Sequence, residues 1–316
     1  MRVVDGRPVL RFERRLAHPP EKVWRAVTDP DEMAHWFPAR IDTDLHVGAS
    51  MRFRFDDGPL DESAALSGEI VELDPPKVYV FRWEDSTLRF ELVPDGAGCR
   101  LVFTHTLAGT GAHGDLASAP RNATGWHLCL DQLAATLDGR DAPPPDDWFL
   151  PLAERYVEEF GAGDGTITAE PDGWRVRFER DLVHPADTVW ATLTATDDGP
   201  PAVSQAPPVQ CTHGYVDTGV VTVAEPPRVL AYTWLHDGAV AGEVRLEVHG
   251  DEQVGTRLVV THTIPTRLAD LRATVLAAWH THLELFYAAL EGDVRCPWPA
   301  DRTEHLRRGY AAGLPS

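Results

Sequence analysis

His105 and His262 are the side chains whose type and placement point most directly to acid–base or hydrogen-bonding chemistry in this chain. They sit in two similar segments, Thr104-His105-Thr106 and Thr261-His262-Thr263, each preceded by an Arg-Leu-Val run. Alternation puts each on the apolar side of a strand. Burial there would shift the imidazole pKa and suit it to donate to a ligand or to act as a general base. The commoner use of such a histidine is structural, bonded to a neighbour inside the core. Structural residues are duplicated along with functional ones, so the recurrence favours neither use.

An aromatic set surrounds this pair in the sequence pattern. Trp36, Phe37, Phe53, Phe55, Tyr79, Phe81, Trp83 and Trp126 fall mostly on expected inward faces of the first half. Leu230, Tyr232, Trp234 and Trp279 are their counterparts in the second. A core uses such residues, and so does a pocket for a flat apolar ligand, which carries few polar groups. The expected ligand-binding residues are Trp36, Phe37, Phe53, Phe55, Phe81, Trp83, His105, Trp126, Tyr232, Trp234, His262 and Trp279. His280 and His282 are two apart on an expected helix and so point to different faces. The first half has Cys129 where the second has His282, so no shared metal site or other cofactor is expected. The chain has no G-x-S-x-G, H-E-x-x-H or P-loop motif, and Gly109-Thr110-Gly111 reads as a loop. Arg52, Arg54, Arg82 and Arg89 alternate with apolar residues as the solvent face of a sheet.

The elements that position these residues follow from periodicity. Residues 9 to 17 alternate as a half-buried strand. Pro19 and Pro20 open a short helix carrying Val23 and Val27, and Asp29-Pro30-Asp31 opens a second with Met33, Trp36 and Phe37. A run of strands follows with turn signals between them, as at Asp74-Pro75-Pro76, predicting an antiparallel meander. A helix from about Asp115 to Leu137 has Trp126, Leu130, Leu133 and Leu137 on one stripe, which must bury itself on the sheet. Gly139 is its C-cap.

The order of elements occurs twice. Arg11-Phe12-Glu13-Arg14 returns as Arg177-Phe178-Glu179-Arg180, and GEIVELDPPKVYVFRW (68–83) as GVVTVAEPPRVLAYTW (219–234). Trp126-His127 returns as Trp279-His280. Blocks repeated in one order mean gene duplication, with units too long for a solenoid. The glycine-rich stretch at 161–165 reads as the linker, giving expected domains 1–161 and 162–316. The second copy has Thr196-Asp197-Asp198-Gly199-Pro200-Pro201-Ala202 where the first has its second short helix, which is expected to be lost. Each half ends in a tail: Pro143-Pro144-Pro145 leads to Trp148 and Tyr156, and Pro297-Trp298-Pro299 to Leu306 and Tyr310.

The formal net charge of -20 argues against a phosphate-backbone binder, which needs clustered Lys and Arg. The cysteines Cys99, Cys129, Cys211 and Cys296 are scattered, without a C-x-x-C pair. That pattern suits a reducing compartment. With no signal-peptide pattern and no apolar stretch long enough to span a bilayer, a cytoplasmic location without membrane insertion is expected.

The blocks HPPEKVWRAVTDPDEMAHWF, GEIVELDPPKVYVFRW and GWHLCLDQLAATLDG resemble the START-like (SRPBCC) superfamily, in particular its subfamily related to the activator of the heat-shock chaperone ATPase. The resemblance covers nearly all of the first half and most of the second. It implies an α+β fold of two tandem helix-grip domains, each a curved antiparallel sheet wrapped around a long C-terminal helix. The superfamily includes lipid and polyketide binders, aromatase/cyclases, plant hormone receptors and enediyne self-resistance proteins. The expected function is therefore binding, for transport, sequestration or self-resistance, of an apolar or polycyclic small molecule such as a polyketide- or enediyne-type product. The alternative is a cyclase or hydrolase using His105 or His262 in a dry pocket. A chaperone co-regulator rests on the subfamily name alone. One fold hosts many functions, so the site has to decide.

Overall fold

The computed structural model describes residues 1–55, 66–110, 114–140, 143–144, 146–196, 199–251 and 255–314. Gly111, Pro145, Asp197 and Asp198, named above, lie outside the described residues. The chain divides into two compact units, Met1–Tyr156 and Val157–Ser316, called domain 1 and domain 2.

Domain 1 opens with β1 (Arg2–Val4) and β2 (Arg7–Leu16), then α1 (Pro20–Thr28) and α2 (Pro30–Met33). Strands β3 (Arg40–Thr43), β4 (Ser50–Arg54), β5 (Leu66–Asp74), β6 (Val78–Trp83), β7 (Ser86–Asp95) and β8 (Gly98–Thr106) follow. The long helix is α3 (Ala119–Leu137) and the tail helix α4 (Phe149–Phe160). The Asp29 carboxylate accepts from the backbone N–H groups of Asp31 and Glu32 and starts α2, satisfying donors that a helix start otherwise leaves open. The described strands form one antiparallel sheet in the order β1-β2-β8-β7-β6-β5-β4-β3. β3 to β8 run as the expected meander, and β2 joins it by pairing with β8, so Leu10 lies opposite His105.

Along α3, Ala123, Trp126, Leu130, Leu133 and Leu137 are buried. Each large apolar side chain so buried contributes about 1.5–3 kcal/mol, which holds this helix across the sheet.

Domain 2 repeats the plan with β9 (Thr166–Glu170), β10 (Gly173–Leu182), α5 (Ala186–Leu193), β11 (Asp217–Glu225), β12 (Val229–His236), β13 (Ala239–Asp251) and β14 (Gly255–Pro265). The long helix α6 (Arg272–Leu290) and tail helix α7 (Ala300–Gly313) complete it. Its strand order among the described residues is β11-β12-β13-β14-β10-β9, the order of domain 1 without counterparts of β3 and β4. Between α5 and β11 the described residues hold only a short 3-10 turn, Val209–Cys211. The second copy thus differs by two edge strands as well as by the short helix.

The helices α6 and α3 also differ. Residues all round α6 are buried, because α7 covers its outer side through a Thr281–Thr303 hydroxyl pair at 3.0 Å and a His280–Tyr310 bond at 2.8 Å.

Candidate functional site

The last strand and the long helix meet at one hydrogen bond in each domain. The Trp126 indole N–H donates to His105 Nδ1 at 2.8 Å, and Trp279 donates to His262 Nδ1 at 3.0 Å. Both histidines are buried, and burial lowers both pKa values to about 3; for His105 the charge of Arg7 adds to the effect. Both rings are therefore neutral at ordinary pH. An Nδ1 that accepts from indole has no proton of its own, so the proton is on Nε2. Nε2 of each is buried and has no hydrogen-bond partner among the described residues.

In domain 1 a row of rings leads from the surface to this pair. Phe55 is 44% exposed, which corrects its expected inward placement. It stands just past the end of β4, where alternation no longer binds it to the core face. Its ring stacks on half-buried Trp83 at 5.9 Å, and Trp83 stacks on Phe53 at 4.7 Å. Phe37 lies 5.5 Å from both Trp83 and Trp126. Trp36 packs edge-on against Phe37 at 5.6 Å, and its indole N–H is held by the Ala26 carbonyl at 2.9 Å. Phe81 joins the same group at 5.8 Å from Phe53. The structure thus brings the first-half residues together around Phe37.

Phe37 and Trp36 also floor a groove of about 360 Å³ on the flank of α3, walled by Leu128, Cys129 and Pro143. Burial raises the Cys129 thiol to about 12, so it contributes an uncharged wall and not a nucleophile.

Domain 2 builds its centre differently from aligned residues. Trp234, the counterpart of Trp83, lies over His262 at 5.0 Å, with its N–H on the Thr263 carbonyl. Gly242 opposite leaves room for it; a Cβ there would sit 2.6 Å from the Trp234 indole nitrogen. His213 takes the place against Trp279, at 4.9 Å, that Phe37 takes against Trp126, and it stacks parallel to His262 at 6.2 Å. Tyr232 is buried and donates to the Cys211 carbonyl at 2.7 Å. His213 was not singled out by the sequence; its only signal is its place in the segment that replaces the lost helix. Burial holds His213 well below 6.5 and His282 near 4.

His280 and His282 diverge as their spacing requires. His282 Nε2 donates to the Gln210 carbonyl at 2.9 Å, while His280 turns toward Tyr310 and lies 3.3 Å from the Glu284 carboxylate. Glu284 is partly buried, which alone would raise its pKa, but hydrogen bonds from His280 and Arg302 outweigh this and hold it at about 2. Domain 1 has a matching set: His127 meets the Tyr156 hydroxyl at 2.7 Å and Asp131 at 3.3 Å. The tails are thus part of the repeated unit, each docked by a tyrosine.

Residues 17–138 match the family described as activator of Hsp90 ATPase homolog 1-like protein. None of the curated proteins matches the chain. Among solved structures, CalU16 from Micromonospora echinospora is 23% identical, covering 49% of this chain and 86% of its own, with a TM-score of 0.38. The protein encoded by gene BPP1335 of Bordetella parapertussis is 27% identical over 51% of this chain and 87% of its own, with a TM-score of 0.38. Aha1 from Colwellia psychrerythraea, solved as a dimer, is 21% identical over 41% and 96%, with a TM-score of 0.34. No helix among the described residues is long and apolar enough to cross a membrane.

Proposed function

We propose that the chain, whose residues 17–138 match the activator-of-Hsp90-ATPase-like family and whose domain 2 repeats the fold of domain 1, binds an apolar, polycyclic small molecule in domain 1 without transforming it. The observation that carries this reading is the row of rings from exposed Phe55 through Trp83 and Phe37 to the Trp126–His105 pair, beside a groove of about 360 Å³. The groove is open, with His35 and Gln132 beside its apolar lining, so it would cover one face of a ligand. Trp36, Phe37, Phe53, Phe55, Phe81, Trp83 and Trp126 supply the apolar contact, and His105 the polar point. Transport, sequestration and self-resistance all require this step.

In domain 2, Trp234 and His213 occupy the space around His262, and we assign that domain a supporting role. The acid–base alternative is disfavoured by the tautomer: with Nδ1 engaged by Trp126 and Nε2 protonated, His105 has no free lone pair with which to abstract a proton. The test is native mass spectrometry of the chain purified from its own cells. A co-purifying apolar mass that is lost on Trp83→Ala and Phe37→Ala replacement supports the reading. A protein that carries no such mass, and that binds no polycyclic probe in titration, refutes it.

A further inference from the structure

The two domains treat one flank of the long helix differently. In domain 2 this flank carries the half-buried ring of Trp298. That ring stacks on His282 of α6 at 6.3 Å and packs against Tyr215 at 5.8 Å, and its N–H donates to the Thr303 hydroxyl at 2.9 Å.

In domain 1 the same flank is the groove of about 360 Å³. Cys129, the counterpart of His282, walls it together with Gln132 one turn along, and Phe37, whose place His213 takes in domain 2, floors it. Counted from the glycines that follow the two long helices, Gly139 and Gly292, domain 1 has Pro145 where domain 2 has Trp298. The nearest ring of the first tail, Trp148, packs on Phe149 instead. Trp298 thus marks what this flank accepts.

The polar groups differ in step. Counted back from the docking tyrosines, Thr303 corresponds to Phe149, which offers no acceptor. Gln132 stands on α3 where α6 has Leu285. The Gln132 side chain makes no hydrogen bond among the described residues, so its carbonyl is an open acceptor at the edge of an apolar floor. Among the described residues no lysine or arginine lines the groove. An anionic guest would lose hydration there without gaining a counter-charge.

Building on the binder reading above, we propose that this groove takes an uncharged planar bicycle bearing a ring N–H, of the indole class, and that Gln132 selects it. The ring lies on Cys129 beside Phe37 as Trp298 lies on His282, and its N–H donates to the Gln132 carbonyl. The Cys129 thiol is a soft, uncharged surface for the ring face. A ring without the N–H covers the same floor, strips water from the amide oxygen and returns no donor to it.

The experiment is titration of the full chain with indole and with benzothiophene, fused bicycles that differ in an N–H against a sulfur, followed in 1H–15N spectra. Indole is expected to bind about fivefold more tightly, the margin of one hydrogen bond, and to move the Gln132 side-chain amide signals. Gln132→Leu, which copies Leu285, should abolish the preference and leave benzothiophene affinity in place. Pyrene fluorescence, followed as protein is added, reads the broader binder proposal separately. Failure to bind either bicycle, equal affinities, a preference that survives Gln132→Leu, or unmoved Gln132 amide signals would each overturn the indole assignment, and with pyrene still bound the binder reading stands. A chain that binds none of the three compounds overturns both.

Discussion

The Trp126 indole nitrogen and His105 Nδ1 lie 2.8 Å apart, joining the long helix to the last strand and fixing which imidazole nitrogen bears the proton. Trp126→Phe should remove the bond and leave Nδ1 unpaired, lowering the stability of domain 1 by about 2–3 kcal/mol. Imidazole 15N shifts should then change from a single Nε2–H form to a mixture of tautomers. Trp279→Phe should do the same to His262 and leave the His105 signals unmoved; coupled changes would show that the two bonds are not independent.

Acid should weaken domain 2 before domain 1. His105 in domain 1, and His213, His262 and His282 in domain 2, have folded pKa values held below 6.5 by burial. Their contribution is fully present above pH 6.5 and is lost as pH falls, because the unfolded chain takes up protons that the folded one refuses. Each such histidine steepens the loss by about 1.4 kcal/mol per pH unit between 6.5 and its folded value, near 4 for His282. Hydrogen exchange at pH 7 and pH 5, read by mass spectrometry, should show protection falling most in domain 2. His282→Gln should reduce the pH slope by one proton even where it lowers stability at neutral pH.

Glu284 acts in a lower window. Its folded pKa near 2 against 4.5 gives stability present above pH 4.5 and lost toward pH 2. A shift of that size corresponds to roughly 3 kcal/mol. Urea titration of Glu284→Gln against the parent should therefore show a gap that narrows from pH 5 downward and closes only toward pH 2; a gap unchanged by pH would mean that packing and not charge explains it.

Trp234→Ala should uncover His262. The variant is expected to lose about 3–5 kcal/mol from the cavity it creates, measured by calorimetric unfolding, and to move the imidazole 15N signals of His262. A loss well under about 1 kcal/mol with unmoved signals would show that the ring does not pack on the imidazole.

The tail helices should both depend on their tyrosines. Tyr310 meets His280 at 2.8 Å and accepts from the Gly165 N–H at 2.9 Å, and Tyr156 meets His127 at 2.7 Å. Tyr310→Phe and Tyr156→Phe should each cost about 1–3 kcal/mol, measured by calorimetric unfolding; a loss near zero would show that the hydroxyl does not dock the tail.

Much of this architecture is legible in the chain. Strand alternation, the 126/130/133/137 stripe and the internal repeat lead to the fold, and parity places His105 and His262 inward. Parity says nothing of where a side chain leans, so Trp83 and Trp234 read as equivalents although one stacks on Phe53 of β4 and the other folds over a histidine. That difference goes with β3 and β4, which have no counterpart among the described residues of domain 2, and with Gly242 making room. Phe55 was misplaced because it follows the last residue of β4, beyond the reach of alternation. His213 was missed because an irregular segment has no period to read, and the roles of Tyr156 and Tyr310 because a partner some thirty residues away on another helix leaves no local mark.

The exposed Phe55 ring has a colloidal consequence. One exposed ring is well short of the contiguous patch that marks an interaction site, but it is a point of apolar contact between molecules. The chain carries a net charge of -20, and mutual repulsion at that charge keeps copies apart. The acidity that says nothing about the ligand thus lets an adhesive ring stand in water, within an ionic-strength range over which the repulsion is not screened away.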